Sequence, residues 1–321
     1  MIVDGHLDIA WNALAEGRGF DRAPVRNYLV SRQALAAAGV GLVFPTIFSQ
    51  PPTSLPGMDP PTLLYRTPGE AELMGLAQLG YYRSIRLRLI HTASELRRYV
   101  GSWKPGDLAG VLLMENADAI VSPSAVGAWA ARGLRLVGPA WMRTRYCGGS
   151  GAPGGLTDDG RNLLAEMATH GMILDLSHMA DRSMRDSFEA WSGPMVSTHA
   201  GARALNPGQR QLPDWAIREV GRRDGIVGIS FYAGHLNPAG KASAHDIARH
   251  ALHYARVSGD ARHVGLGSDL DGGFGADEAA IRSMSGMAAI RKALLRHFGP
   301  NDADGIMGRN WLRLLESALP D

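Results

Sequence analysis

The chain has 321 residues, 45% hydrophobic and 20% charged, so a sizeable core is expected and disorder is not. A formal charge of +2 gives no strong attraction to nucleic acid or to anionic membranes. The single cysteine, Cys147, excludes an intrachain disulfide and any multi-thiolate zinc site.

The chain opens Met-Ile-Val-Asp-Gly-His-Leu-Asp, where Ile2 and Val3 read as a short buried strand that Asp4 and Gly5 break. His6 and Asp8 stand two apart, so on extended backbone they project to one side. An imidazole and a carboxylate presented together suit one face of a zinc-type cation. Residues 11–17 read as loop or short helix, and 40–49 (VGLVFPTIFS) as a second strand. The proline-rich segment 50–69 reads as a surface excursion. Residues 70–87 then form a helix whose stripe Leu73, Leu76, Ala77 and Tyr81 is expected to pack on a sheet. A third strand over 108–114 ends at Glu115, a helix covers 123–131, and a fourth strand covers 134–141. The glycine-rich stretch 147–155 is expected to be a loop with no side chain able to nucleate a core.

The second half repeats this rhythm. A helix over 159–168 precedes a strand over 172–176 that ends in Ser177-His178, and Asp181 caps a helix reaching about residue 190. A strand over 194–197 ends in Thr198-His199, and a helix covers 214–220. A strand over 225–232 ends near His235, and a helix over 244–257 follows. The strand at 263–267 ends in Ser268-Asp269-Leu270-Asp271-Gly272, and two helices, 277–298 and 302–315, close the chain. Eight strands alternating with helices, undivided by a linker, predict one α/β domain over residues 1–321. Its expected fold is a (β/α)8 barrel of the TIM type with a C-terminal helix.

Active sites of such barrels lie at the C-terminal ends of the strands. His6 and Asp8 (first strand), Glu115 (third), His178 (fifth), His199 (sixth) and Asp269 (eighth) stand there, each directly after an apolar run. Three histidines and several carboxylates without thiolates suit a binuclear zinc-like site. His170, His250, His253 and His297 fall on helices or their ends and are expected on the outer surface. Asp4 is read as a cap of the first turn, Asp271 as a support of the site or a loop residue, and His235 as an exposed loop histidine, with a substrate contact as the alternative. No apolar run reaches about 18 residues, and no leader precedes the first strand, so a cytoplasmic chain with no membrane partner is expected.

DGHLD at the start, the Glu after the third strand, DLSH at 175–178, STHA at 197–200 and GSDLDG at 267–272 together resemble the membrane (renal) dipeptidase family of the amidohydrolase superfamily. GRNWLRLLE at 308–316 resembles that family's closing helix. The 21-residue step from His178 to His199 and the 11-residue step from His199 to Arg210 match it too. The resemblance implies two zinc ions, one held by His6, Asp8 and Glu115, the other by Glu115, His178 and His199, with Glu115 bridging. It implies that Asp269 serves as the proton-transferring aspartate near the metals and Arg210 as the arginine receiving the substrate's terminal carboxylate. The implied substrate is a small dipeptide-like molecule, with tolerance of a D-residue at its C-terminal position. Family members commonly dimerise, so a homodimer is also an expectation.

One position departs from the family. Its fourth strand ends in a Thr-His pair whose histidine contacts substrate, whereas segment 133–141 (GLRLVGPAW) places Trp141 there. An indole N–H donates one hydrogen bond and carries no charge. Trp141 either packs under the 147–155 stretch or reshapes the pocket. Three readings follow: a metallo-dipeptidase, the same metal site acting on an N-acyl amino acid, lactone or modified dipeptide, and a non-catalytic metal-binding barrel. The complete ligand set argues against the last.

Overall fold

A computed structural model of the protein describes residues 1–24, 27–51 and 63–321. Eight strands follow one another as expected: β1 (Ile2–Leu7), β2 (Val40–Phe48), β3 (Leu112–Glu115), β4 (Leu134–Gly138), β5 (Ile173–Asp175), β6 (Met195–Ala200), β7 (Ile226–Ile229) and β8 (Val264–Leu266). Each pairs in parallel with the next, so spatial order equals chain order from β1 to β8. Two short extra strands, Arg88–Leu89 and Ala109–Gly110, add to the lower half of β2. The open seam between β8 and β1 is bridged by hydrogen bonds. Asp269 N–H donates to the His6 carbonyl at 3.2 Å, and the Asp4 carboxylate accepts from Ser268 N–H at 2.7 Å and from its hydroxyl at 2.5 Å. Asp4, read from the sequence as a cap of the first turn, is therefore a seam residue.

Alternation along the strands divides the apolar side chains into two cores. Val3, Leu42, Phe44, Val111, Leu113, Leu136, Ile173, Val196 and Ile226 gather with Trp311 of the closing helix, Asn310–Ala318. The other parity, including Val43, Leu112, Val137, Leu174, Val227 and Leu266, packs against the surrounding helices. Trp311 plugs the inner core: its Nε1–H donates to the Leu266 carbonyl at 2.8 Å, and a Cβ at Gly5 or Gly265 would strike its ring. Glycine is required there because the strands approach the indole too closely for any side chain.

Several local expectations change. The helix Pro68–Ser84 is present, started by a capping box between Thr67 and Glu70, but it buries Ala71, Gly75, Gln78, Leu79 and Tyr82. Leu73 of the expected stripe is 67% exposed. The polar residue decides the face, because the Gln78 side chain satisfies both backbone groups of Phe48 at the end of β2. The 147–155 stretch is an antiparallel hairpin, Cys147–Gly149 against Ala152–Leu156, with Cys147 buried in the outer core. Asp181 lies in the first turn of its helix and pairs with Arg203 at 2.7 Å; it does not cap. Helices Arg32–Ala37 and Ala93–Ser102 are among those with no counterpart in the sequence reading, each begun by a hydroxyl, Ser31 or Thr92, that accepts a backbone N–H of the first turn. Of the expected proline-rich excursion, residues 52–62 lie outside the described residues.

Candidate metal centre at the mouth of the barrel

The inner-facing side chains change character toward the C-terminal strand ends. On β2 the alternation runs Leu42, Phe44, Thr46, Phe48, and on β3 it runs Val111, Leu113, Glu115. A polar tier thus lies directly above the apolar plug. Asp175, at the end of β5, accepts from Thr198 N–H at 2.8 Å, from the Thr198 hydroxyl at 2.6 Å and from Ser177. The Thr198 hydroxyl has only one proton, and Asp175 takes it. Toward His6 Nδ1 (3.3 Å) and His199 Nδ1 (3.1 Å) the same oxygen must therefore accept. When the rings are neutral, as cation binding requires, that tautomer turns the Nε2 lone pairs of both imidazoles toward the mouth. Ser150, on the hairpin, sits 3.0 Å from His178 Nδ1 and orients the third ring. Thr46 donates to Asp8.

The three Nε2 atoms converge on Glu115. Its Oε1 lies 3.1 Å from His178 Nε2 and 3.5 Å from His199 Nε2, and its Oε2 lies 3.6 Å from His6 Nε2. His178 Nε2 and His199 Nε2 are 3.0 Å apart. His6 Nε2 also stands 3.9 Å from Asp8 and 4.0 Å from Asp269. Three trios have their ligand atoms mutually within 4.8 Å: His6, Asp8 and Glu115; Glu115, His178 and His199; and His6, His199 and Asp269. His6 Nε2 and Glu115 Oε1 are buried and find no hydrogen-bond partner, a costly arrangement unless the site is built to receive a cation. Backbone strain collects at the same level. Asn116, His178, Asp269 and Asp271 all adopt left-handed φ between 59° and 67° just past strand ends.

Electrostatics follow from burying these groups together. Burial alone would lower His6, but Glu115, Asp8 and Asp269 override it and hold that imidazole up at about 10. Burial would raise Glu115, yet His6 and His178 hold it well below the usual carboxylate range. Burial, only partly offset by His6, pushes Asp8 up to about 6 and Asp269 well above its ordinary value. Burial and the Arg210 guanidinium lower His178 to about 4, and burial with His6 lowers His199 well below its ordinary value.

Arg210, after β6, reaches this centre: its Nη2 donates to His178 Nε2 at 3.0 Å and to the His199 carbonyl at 3.1 Å, while its buried Nε has no partner. Trp141, after β4, turns its ring toward the site. Its centroid is 6.2 Å from that of His178 and 5.2 Å from that of Phe48, while its carbonyl accepts from Ser150 N–H of the hairpin. Asp271 accepts from Leu29 and Val30 N–H and so pins a loop beside the mouth. His235 lies on a short helix, Ala233–Leu236, with Nδ1 at 3.0 Å from Ser230 Oγ. His250 corrects an expectation: it is fully buried, because it serves two backbone groups, Ala202 N–H and the Leu236 carbonyl, each at 2.9 Å. The sequence assigned no role to Thr46, Ser150, Asp175 or Thr198. Asp175 and Thr198 lie inside DLSH and STHA, so the motifs already held the residues that set the imidazoles.

Among the described residues no helix is long and apolar enough to cross a membrane. The chain is 31% identical over 282 residues to an uncharacterised protein from the pqqA 5′ region of Klebsiella pneumoniae, covering 82% of this chain and 98% of that one. It is 37% identical over 164 residues to dipeptidase aclJ of Aspergillus oryzae, covering 50% of this chain and 39% of that one. Over the whole fold it resembles a Rhodobacter sphaeroides metallopeptidase solved with a phosphinate mimic of the dipeptide L-Ala-D-Ala, with a TM-score of 0.84, 25% identity and 99% of each chain covered. A second solved structure, the family M19 metallopeptidase named dipeptidase AC, matches with a TM-score of 0.85 and 26% identity over 100% of this chain and 99% of that one. The family model for membrane dipeptidases matches residues 1–319. A parallel barrel with a cluster of carboxylates and imidazoles at its mouth, matched end to end by that model, makes this chain a member of the membrane dipeptidase family, peptidase family M19.

Proposed function

We propose that the protein hydrolyses dipeptides with two zinc-like divalent cations, one held by His6, Asp8 and Glu115, the other by Glu115, His178 and His199. The observation that carries this reading is the convergence of three imidazole Nε2 atoms on Glu115, with two of the three tautomers set by the Thr198 hydroxyl and with His6 Nε2 and Glu115 Oε1 unpartnered. The donors are imidazole nitrogen and carboxylate oxygen only, a set that suits zinc-like ions. Such cations, when bound, supply Lewis acidity and acidify water. The residues of this chain supply the rest. Arg210, with a free buried N–H, receives the substrate's terminal carboxylate and so limits substrates to short molecules. Asp269, 4.0 Å from His6 Nε2, takes the proton of the attacking water and returns it to the leaving amine. Tolerance of a D-residue at the C-terminal position belongs to this reading and is supported by the resemblance to the Rhodobacter metallopeptidase with its L-Ala-D-Ala mimic.

The test combines metal analysis with turnover. Zinc-supplemented protein is expected to carry up to two ions per chain and to hydrolyse members of a panel of L-L and L-D dipeptides. Glu115→Gln weakens both ions, whereas His178→Ala empties chiefly one. No bound transition metal after supplementation would reject the site, and metal-loaded protein that cleaves N-acyl amino acids or lactones but no dipeptide would reject the substrate class.

A further inference from the structure

Beyond the candidate metal ligands, three large aromatic side chains gather on one side of the mouth and Arg210 and His235 stand on the other. Arg210 follows β6, His235 follows β7 and Asp269 follows β8, whereas Trp11 follows β1, Phe48 ends β2 and Trp141 follows β4. Trp11 and Phe48 meet edge to face with centroids 5.0 Å apart, and Phe48 and Trp141 likewise at 5.2 Å. The three rings form a cluster separate from both barrel cores, each only 6–8% exposed. The cluster borders the candidate metal centre, since Trp141 lies 6.2 Å from the ring of His178. In an eight-stranded barrel numbered in spatial order, β2–β3 and β6–β7 face each other across the mouth, with Glu115 and the histidines between them.

We infer that Trp11, Phe48 and Trp141 form the acyl-side specificity pocket, which selects dipeptides whose first residue carries an aromatic or large aliphatic side chain. The inference rests on the dipeptidase reading above. With the substrate carboxylate at Arg210, on the β6 side, and the scissile carbonyl over the candidate metal centre, the first residue extends toward β1–β4 and meets these rings. The acids on that side are already engaged. Thr46 donates to Asp8, Tyr65 donates to Asp118 at 2.5 Å while Arg145 pairs with it, and Arg18 pairs with Glu16 and Asp271. A first residue with a charged side chain therefore meets ring faces and edges and no counter-ion, whereas an apolar one gains buried area and edge-to-face contacts. Trp141 has the largest effect, because it stands nearest the histidines.

The experiment uses zinc-loaded full-length protein and X-Ala dipeptides in which X is Gly, Ala, Leu, Phe or Lys. An apolar pocket separates substrates that differ by even one methylene by roughly tenfold or more, so Phe-Ala and Leu-Ala are each expected to exceed Gly-Ala by at least about tenfold, with Lys-Ala poor. Trp141→Ala and Phe48→Leu are each expected to reduce the Phe-to-Gly ratio severalfold to tenfold. Calorimetric binding of phosphinate mimics of Phe-Ala and Ala-Ala gives a second readout, in which the affinity ratio falls in the same variants. Trp141→Phe, which keeps a ring, serves where the alanine variant does not fold and is expected to retain most of the preference. Hydrolysis of all five peptides at similar kcat/KM, or a ratio unchanged in folded, metal-loaded variants, overturns the inference and leaves the dipeptidase reading standing. Metal-loaded protein that cleaves no dipeptide overturns both.

Discussion

Thr198 sets the chemistry of two imidazoles with one hydroxyl. Its O–H donates to Asp175 and its oxygen accepts from the Nδ1–H groups of His6 and His199, so the two rings, when neutral, present their Nε2 lone pairs on the same side. Arg210 stands in a comparable position, in that two of its contacts are to groups of the centre and its Nε is still without a partner. Removing the guanidinium is expected to raise KM for free dipeptides. Truncating one partner of a buried charge pair costs about 2–5 kcal/mol, which is at least about thirtyfold in kcat/KM. Steady-state kinetics of Arg210→Met on free and C-terminally amidated dipeptides check this. The loss is expected to be much smaller for the amides, and equal losses would remove Arg210 from carboxylate recognition.

At the scale of elements, the upper strand ends are held close by glycines. A Cβ at Gly228 of β7 or at Gly267, just past β8, would collide with the Thr198 carbonyl oxygen, a backbone atom that cannot swing away. Gly267→Ala must therefore push the end of β8 off β6, which moves Asp269 relative to His199. Overpacking of this kind costs about 1–3 kcal/mol, so denaturant unfolding is expected to show a lower midpoint. Weaker metal retention should accompany it, because the ligands and the strand ends move together. A variant with unchanged midpoint and metal content would show that the barrel end yields without strain. The helix Pro68–Ser84 and the hairpin at 147–156 carry the opposite lesson. Counting apolar residues chose the wrong helix face, because Gln78 had backbone groups of β2 to satisfy. It also read a half-buried hairpin as loop, because paired glycines leave no pattern of side chains to read.

For the molecule as a whole, acid stability reflects histidines buried neutral. In His250, Ala202 N–H donates to Nδ1 and Nε2–H donates to the Leu236 carbonyl, so neither nitrogen has room for a second proton. Burial, with Arg249 and His253 adding to it against Asp246, lowers this group to about 4. Its folded value lies below the unfolded value of about 6.5, so protonation favours the unfolded chain. The stabilisation is complete above pH 6.5 and is lost progressively as pH falls toward 4, by about 2 kcal/mol at pH 5. Urea midpoints of chelator-treated protein at pH 7 and pH 5 check this. His250→Gln, which can still accept and donate, is expected to narrow the difference between the two midpoints, and an unchanged difference would assign the acid sensitivity to other groups.

The amino-acid sequence by itself determined the alternation of eight strands and helices, and it marked His6, Asp8, Glu115, His178, His199 and Asp269 at strand ends. Periodicity and abrupt apolar-to-polar transitions are local properties, written within a few residues of each site. The tertiary structure alone decided which of these atoms face one another, that Asp4 bridges β8 to β1, that His250 is interior, and that Trp141 joins Trp11 and Phe48 in one cluster. Those facts depend on pairs up to 264 residues apart in the chain. Such partners are chosen by barrel closure and by the need to satisfy buried polar groups, conditions that no window of sequence contains.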